Sequence, residues 1–229
     1  MSGMKRDKCR LAVSLTANLL TAALVAYAVL SYFWFPDGSG VVGATCFRYF
    51  TIDSNVLCAA FAVLLAVYQF RALRGREIPR FAVVCKYVGT VAVCVTFLTV
   101  VVFLGPTQGY GKMFAGAGFW LHLVCPLLAM ASFCLTEAGE DIWHPALWLG
   151  LVPTALYGVL YLTMVIFIGA ERGGWVDFYG FNIGGLWQIS FAAMLALTVG
   201  IAFGLCALRR LALRKMKNSE NEKELSNRI

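Results

Sequence analysis

Residues 81–104 read FAVVCKYVGTVAVCVTFLTVVVFL, an apolar run that contains a single charged side chain, Lys86. A helix of roughly 20 apolar residues can cross a hydrocarbon layer about 30 Å thick, and this run is long enough. Inside lipid, a helix satisfies its backbone hydrogen bonds internally, whereas a single strand cannot. The run therefore predicts a membrane-spanning helix.

Five further runs of the same kind accompany it. The sequence predicts an all-α, polytopic membrane protein, a bundle of six transmembrane helices at 11–35, 49–70, 81–104, 114–135, 145–168 and 183–208. Helix-breaking residues separate the runs: Pro36 to Gly40, Gly105-Pro106, Gly139 with Glu140 and Asp141, and Gly173-Gly174. We expect 1–208 to form one transmembrane domain and 209–229 to form a basic, polar cytoplasmic tail.

The composition agrees with a membrane protein and argues against other classes. Of the 229 residues, 60% are hydrophobic and 14% are charged, whereas soluble domains average roughly 45–50% apolar and about 25% charged residues. The net charge of +7 arises mainly beside the apolar runs, as in membrane proteins, so no nucleic-acid partner is expected. The 8 cysteines show no C-x-x-C pair and no Cys/His metal spacing. We expect no cofactor, no metal and no disulfide framework.

Basic residues also predict the orientation of the chain. Fifteen Lys and Arg residues lie in the two tails and the loop after the second run, against three in the alternate loops. The positive-inside rule then puts both termini in the cytoplasm. Lys86 is expected to extend its ammonium to the cytoplasmic interface. The first run partly resembles a signal peptide ending at Ala26-Tyr27-Ala28, but its apolar stretch continues to Phe35, which favours a retained helix.

Polar side chains within the apolar runs are candidate functional residues because they are costly in lipid. His122 lies in the middle of the fourth run. It is interpreted either as a neutral imidazole bonded to another helix or as a proton acceptor facing a cavity. Thr51, Ser54, Asn55 and Cys58 share one helical face at the start of the second run. That stripe is either polar packing between helices or part of a site.

The predicted depths in the membrane allow His122 and the polar stripe that includes Thr51 to meet. The second and fourth runs both begin at the outer surface in the predicted topology, so Thr51 and His122 both lie in the outer half of the bundle. Three other polar residues are weaker candidates for binding a substrate: Tyr157, Tyr161 and Gln188. A contact between Thr51 and His122 is allowed by this topology and is not required by it.

Three motifs resemble one known family. They are Tyr49-Phe50-Thr51-Ile52-Asp53-Ser54-Asn55, His122-Leu123-Val124-Cys125-Pro126 and the aromatic segment Trp175–Asn182. Together, over nearly the whole chain, they resemble the androgen-induced protein family and its bacterial membrane relatives. Members of known activity are threonine hydrolases that cleave fatty acid esters of hydroxy fatty acids. The sequence departs from bacterial relatives at Asp53, where they often have Gln or Leu, and in lacking prolines in the aromatic segment.

The resemblance implies a membrane lipid ester hydrolase, located in a bacterial inner membrane. Its nucleophile would be Thr51 and its base His122, and its partner would be a fatty acyl ester. A Thr hydroxyl needs such a base to become a useful nucleophile. Asn55, one turn from Thr51, is a candidate oxyanion donor, with Ser54, Tyr157, Tyr161 and Gln188 as other binding or oxyanion candidates. No residue that orients His122 is evident from the sequence.

Two other function classes stay open. One is a transporter or binding bundle in which His122 carries protons; few polar groups appear aligned in the cytoplasmic halves, which argues against a path. The other is a Cys-dependent acyltransferase, since Cys125 is one turn from His122 and Cys58 shares the face of Thr51. Buried cysteines are usually inert, which disfavours this class.

Overall fold

The computed structural model describes residues 2–34, 41–137, 142 and 144–226. Six helical segments in this part of the chain are long and apolar enough to cross a membrane, and no strand occurs among the described residues. We number the segments α1 (Ser2–Trp34), α2 (Phe50–Ala72), α3 (Arg80–Gln108), α4 (Ala117–Thr136), α5 (Pro145–Ile168) and α6 (Trp187–Ser226). The predicted all-α bundle is confirmed, and the chain is a multi-pass membrane protein.

The predicted and observed helix boundaries differ at a few ends. Helix α4 begins at Ala117 and not at Phe114, because the chain turns at Gly116 with a φ of 52°. Helix α6 begins at Trp187 and continues to Ser226, so residues 209–226 extend the last transmembrane helix. Phe35 and the predicted breakers at 36–40 and 139–141 lie outside the described residues.

Helix α3 lies at the centre of the bundle. It packs against α2, α4, α5 and α6, and it is the most buried of the six membrane-spanning segments. A helix surrounded by others is expected to be apolar on every face, as residues 81–104 are. Gly89 lets α2 approach closely, since a Cβ atom there would lie 2.8 Å from the Cα of Cys58.

Three of the segments contain short π-helical turns. These turns lie at Val100–Leu104 in α3, at Trp120–Val124 and Ser132–Thr136 in α4, and at Thr163–Ile168 in α5. Pro106 and Pro126 follow two of them within two residues. Because proline lacks an N–H and its ring crowds the carbonyl four residues earlier, it disfavours a regular α-turn and favours such an irregularity.

Candidate active site

Thr51 and His122 are in contact. Thr51 lies in the first turn of α2, and His122 lies in the π-turn Trp120–Val124 of α4. The Thr51 Oγ1 atom is 3.2 Å from His122 Nε2, which is hydrogen-bonding distance for two half-buried side chains. The two residues that the sequence analysis pairs therefore meet between α2 and α4.

The other nitrogen of His122 fixes the direction of this hydrogen bond. His122 Nδ1 is 2.6 Å from the backbone carbonyl oxygen of Met113. A carbonyl oxygen only accepts hydrogen bonds, so in the neutral imidazole Nδ1 carries the proton and Nε2 has a free lone pair. Thr51 must then donate its hydroxyl proton to Nε2. No group that orients His122 is evident from the sequence; the structure supplies one, from the backbone.

Local chain geometry brings the Met113 carbonyl to the imidazole. Residues Tyr110–Met113 form a short helix, and the chain then turns back at Gly116 into α4. At Gly118, a Cβ atom would lie 2.5 Å from the Met113 oxygen and 3.3 Å from His122 Nδ1. Glycine at 118 is therefore required for this contact. The π-turn that carries His122 is of a kind often found at functional sites.

Ser54 and Asn55, the neighbours of Thr51 on the polar stripe, are buried and bonded to protein groups. Ser54 shares a 2.8 Å hydrogen bond with Thr96 of α3. The Asn55 amide donates to the Thr51 carbonyl at 2.7 Å and to the Leu121 carbonyl at 3.0 Å. Both amide hydrogens of Asn55 are thus in use, so this arrangement joins α2 to α4 and leaves no hydrogen for an oxyanion.

The segment between α5 and α6 covers the site. Asp177 organises it by accepting hydrogen bonds from the Tyr161 hydroxyl at 2.7 Å and from the N–H groups of Phe181 and Asn182 at 2.9 and 2.8 Å. The Tyr161 hydroxyl in turn accepts a 3.0 Å bond from the Tyr179 N–H. This arrangement directs Tyr179 towards the start of α2.

Tyr179 is a second site residue, after Met113, that no feature of the sequence distinguishes. Its hydroxyl oxygen accepts a 3.0 Å hydrogen bond from the N–H of Phe50, the residue before Thr51. Burial raises the pKa of Tyr179, while its contacts with Tyr157, Phe50 and Thr51 oppose that shift. In sequence it was one aromatic residue in a segment typical of an interfacial belt, and no local signal separated it from its neighbours.

The other candidates divide into two groups. Tyr157 and Tyr161 lie beside the site, and the Tyr157 hydroxyl donates to the Arg48 carbonyl at 2.6 Å. Gln188 is exposed and lines neither described cavity.

Two cavities meet at Thr51. The larger, about 350 Å³, lies between α3, α5 and α6 and has no charged residue in its lining. The smaller, about 210 Å³, is lined by His122 and also by Gln108 and Lys112. Thr51, Leu104 and Tyr179 line both. An apolar cavity and a more polar one therefore share Thr51 in their linings.

A second polar cluster is buried at the other end of the bundle. We call it the ionic cluster; its side chains, each at most 1% exposed, are those of Lys86, Glu137 and Arg209. Lys86 Nζ lies 3.8 Å from Glu137 Oε1, and Arg209 donates to the Phe133 carbonyl at 2.8 Å. The expectation that the Lys86 ammonium extends to the interface is wrong, because the end of α4 brings a carboxylate to it inside the bundle. Arg209, assigned to the tail, also lies inside the bundle.

Further polar side chains join the ionic cluster to α1 and α2. Gln69 bridges two residues of α1: it accepts a 3.1 Å bond from Asn18 and donates a 2.7 Å bond to Ser14. Arg10 donates to the Thr136 and Glu137 carbonyls at 3.1 and 3.0 Å. Packing between helices therefore brings together polar side chains that come from separate predicted runs.

Comparison of the chain with protein-family models, curated proteins and solved structures found no match in any of the three.

Proposed function

We propose that the protein is a membrane lipid ester hydrolase that uses Thr51 as nucleophile and His122 as base. The observation that carries this proposal is the directed hydrogen bond from Thr51 Oγ1 to His122 Nε2, with His122 Nδ1 held by the Met113 carbonyl. This is the arrangement that nucleophilic catalysis requires: a hydroxyl, a base within reach, and a third group that orients the base. Here the Met113 backbone carbonyl takes the place that an Asp carboxylate has in a Ser-His-Asp triad.

The reaction follows from these contacts. Thr51 Oγ1 attacks the ester carbonyl carbon while its proton moves to His122 Nε2. The tetrahedral intermediate collapses, and the alcohol leaves with that proton, which gives an acyl-Thr51 intermediate. His122 then removes a proton from water, the hydroxide attacks the acyl carbon, and the carboxylic acid is released with Thr51 restored.

The two cavities support a lipid substrate. The uncharged larger cavity suits an apolar acyl chain, and its lining residues Val102 and Leu197 are also exposed on the outside of the bundle. A chain could therefore enter sideways from the bilayer. The smaller cavity, with Gln108 and Lys112, suits the alcohol portion and water. The resemblance to the androgen-induced protein family adds fatty acid esters of hydroxy fatty acids as the first substrates to test.

The structure disfavours the cysteine alternative. Both ring nitrogens of His122 are engaged, one by Thr51 and the other by Met113. Cys125 is 1% exposed and would need His122 to change partners before its thiol could be activated. A hydroxyl nucleophile requires no such change.

The ionic cluster is the observation that favours a transport function. Charged residues inside a membrane bundle often mark ion or proton pathways. Neither described cavity, however, is lined by Lys86, Glu137 or Arg209. The ester hydrolase therefore accounts for more of the site, and transport is the second candidate.

We further propose a location in a bacterial inner membrane with both termini in the cytoplasm, as the distribution of Lys and Arg indicates. Thr51 and His122 would then act beneath the outer surface of that membrane, and α1 would be a retained helix.

A fluorophosphonate probe tests the hydrolase. The protein, purified in detergent, is treated with the probe and compared with Thr51→Ala, His122→Ala and Cys125→Ala. Loss of labelling in the first two variants only, with the adduct located on Thr51 by mass spectrometry, supports the proposal. Labelling that depends on Cys125 supports the acyltransferase. If the wild type is neither labelled nor active on fatty acyl esters, the hydrolase is excluded and the binding or transport class is favoured.

A further inference from the structure

We propose that the Tyr179 hydroxyl is the oxyanion donor of this site. The inference rests on the proposed hydrolase and adds a catalytic residue to it. It stands on three contacts: the Phe50 N–H donates to the Tyr179 oxygen at 3.0 Å, Tyr179 lines both cavities beside Thr51, and its backbone is fixed by Tyr161.

The hydrogen bonds around Thr51 leave Tyr179 as the available donor. Asn55 gives both amide hydrogens to backbone carbonyls, and Tyr157 gives its hydroxyl hydrogen to the Arg48 carbonyl. The Tyr179 hydroxyl instead accepts from the Phe50 N–H, and among the described residues it donates to no backbone carbonyl. Its ring packs beside that of Tyr157, with centroids 6.4 Å apart, and it lines both cavities together with Thr51. A weakly held hydrogen beside the nucleophile can turn to a developing oxyanion at little cost.

The start of α2 strengthens this donor. The first N–H groups of a helix have no partner within the helix and carry partial positive charge. The Tyr179 oxygen accepts one of them, from Phe50, and a hydroxyl that accepts a hydrogen bond becomes a better donor. Because burial raises the pKa of Tyr179, the phenol keeps its proton at neutral pH and remains a donor throughout the reaction.

The position of Tyr179 is set from the far side by Asp177. The Asp177 carboxylate accepts from the Tyr161 hydroxyl, whose oxygen accepts from the Tyr179 N–H. Preorganisation of this kind is what makes an oxyanion donor effective, because no dipole has to be reoriented as charge develops. In the step itself, Thr51 Oγ1 bonds to the carbonyl carbon, the carbonyl π electrons move to oxygen, and Tyr179 donates a hydrogen bond to that oxygen without losing its proton.

The test uses Tyr179→Phe, which keeps the ring and removes only the hydroxyl. Hydrolysis of 4-nitrophenyl butyrate by the protein in detergent gives kcat and KM, with Thr51→Ala as the inactive reference. Tyr110→Phe is the matched control: it makes the same chemical change at a hydroxyl that donates to the Val101 carbonyl at 2.8 Å, and Tyr110 lines neither cavity. We expect Tyr179→Phe to lower kcat by about 100- to 1,000-fold with little change in KM. Tyr110→Phe should stay close to wild type.

Replacing the carbonyl oxygen of the substrate by sulfur tests whether the Tyr179 hydroxyl donates a hydrogen bond to that atom or only supports the structure of the site. In the matching thionoester the developing charge falls on sulfur, a weak acceptor, so wild type should lose rate on this substrate. Tyr179→Phe should lose much less, because its donor is already absent.

The outcomes distinguish the two proposals. An active wild type that depends on Thr51 and His122, together with a Tyr179→Phe variant of unchanged kcat, overturns the oxyanion assignment and leaves the hydrolase standing. A reduced kcat with the full wild-type sensitivity to sulfur also overturns it, since the hydroxyl would then act only on structure. A wild type without Thr51-dependent activity overturns both.

Discussion

At the scale of single residues, the Met113 carbonyl is what makes His122 a directed base. An imidazole next to a hydroxyl can either donate to it or accept from it. The 2.6 Å contact at Nδ1 removes the first possibility, because the ring can then only accept at Nε2. The function of the pair therefore depends on a residue that contributes only its backbone, and on the glycine that lets that backbone approach.

Gly118→Ala tests this dependence. A Cβ atom at 118 would lie 2.5 Å from the Met113 oxygen, so the carbonyl or the imidazole must move. We expect kcat to fall by about 100-fold, since a misplacement of about 1 Å can cost that much. The measurement is ester hydrolysis together with the rate of fluorophosphonate labelling at Thr51.

Gly200→Ala is its matched control. It also adds one methyl group within a helix, at a position where nothing lies within 4 Å of the new Cβ atom among the described residues. This variant should keep wild-type activity. Equal activity in Gly118→Ala and wild type would show that the Met113 carbonyl is not needed for catalysis.

The sequence could predict some of these residues and not others. Thr51 and His122 were identifiable because a hydroxyl stripe and an imidazole are costly in an apolar run and lie at similar depth in the predicted topology. Met113 was not, because a backbone carbonyl has no residue-type signature. The oxyanion role expected of Asn55 stays a prediction that the geometry does not support, since spacing along α2 could not reveal that α4 presents the Leu121 carbonyl to its amide.

At the scale of elements, the segment between α5 and α6 acts as a structured cover. The carboxylate of Asp177 accepts one hydroxyl and two backbone hydrogen bonds within this segment. Its aromatic rings pack on one another and on α5, for example Tyr179 on Tyr161 with ring centroids 5.2 Å apart. One carboxylate thus holds the loop conformation that places Tyr179 over Thr51.

Asp177→Asn should loosen this cover. An amide nitrogen cannot accept a hydrogen bond, so at least one of the three bonds to residue 177 is lost and a donor faces a donor. We expect faster hydrogen exchange in residues 175–182 and a kcat reduced by about 10-fold, the size of one hydrogen bond of about 1.4 kcal/mol. Exchange measured by mass spectrometry and the ester assay provide the two readouts.

Glu171→Gln is the control for Asp177→Asn, because it changes an exposed carboxylate in the same connection to the same amide. It should alter neither exchange in 175–182 nor kcat. A Tyr179 position that depends on ring packing alone would leave exchange and kcat unchanged in Asp177→Asn too.

The helices themselves were predictable because their signal is length and apolarity. The π-helical turns within the helices were harder to predict. Pro126 indicates a disturbed turn near His122, but the sequence does not say whether the disturbance is a kink or a π-turn. The covering segment was identified only as aromatic, since its shape depends on contacts with residues such as Tyr161 on another element.

At the scale of the whole molecule, the orientation in the membrane remains a prediction that cysteine labelling can test. Cys9 is exposed near the start of α1, and Glu171 is exposed just after α5. Five membrane crossings separate the two residues, so they are expected on opposite sides of the membrane. If both termini are cytoplasmic, a membrane-impermeant maleimide should label Glu171→Cys in intact cells. It should label Cys9 only after the membrane is opened. Labelling of Cys9 in intact cells, with Cys9→Ser as the blank, would reverse the orientation.

The bundle keeps its two polar regions apart. The Thr51 site lies where α2, α4 and the covering segment meet, whereas the ionic cluster joins α3, the end of α4 and α6. The sequence did not predict this second region, because Lys86, Glu137 and Arg209 each lie near a run boundary, where a charged residue normally reaches water. Only tertiary packing shows that they point inwards.

The ionic cluster should make a larger contribution to stability than to hydrolysis. Lys86 and Glu137 are 0% and 1% exposed at a separation of 3.8 Å, so removing either one breaks a buried ion pair and leaves its partner buried. We expect Lys86→Met and Glu137→Gln each to lower the free energy of unfolding by about 3–5 kcal/mol, whereas removing both charges should recover much of that loss. Unfolding of the two single variants and the double variant, followed in detergent, measures this coupling. If the two losses simply add, Lys86 and Glu137 do not act as a pair. Proton flux is measured in vesicles that contain the wild type or the double variant. Flux through the wild type that is lost in a stable double variant would favour the transport class. Unchanged ester hydrolysis, with no flux through the wild type or any variant, would assign the cluster a structural role beneath the Thr51 site.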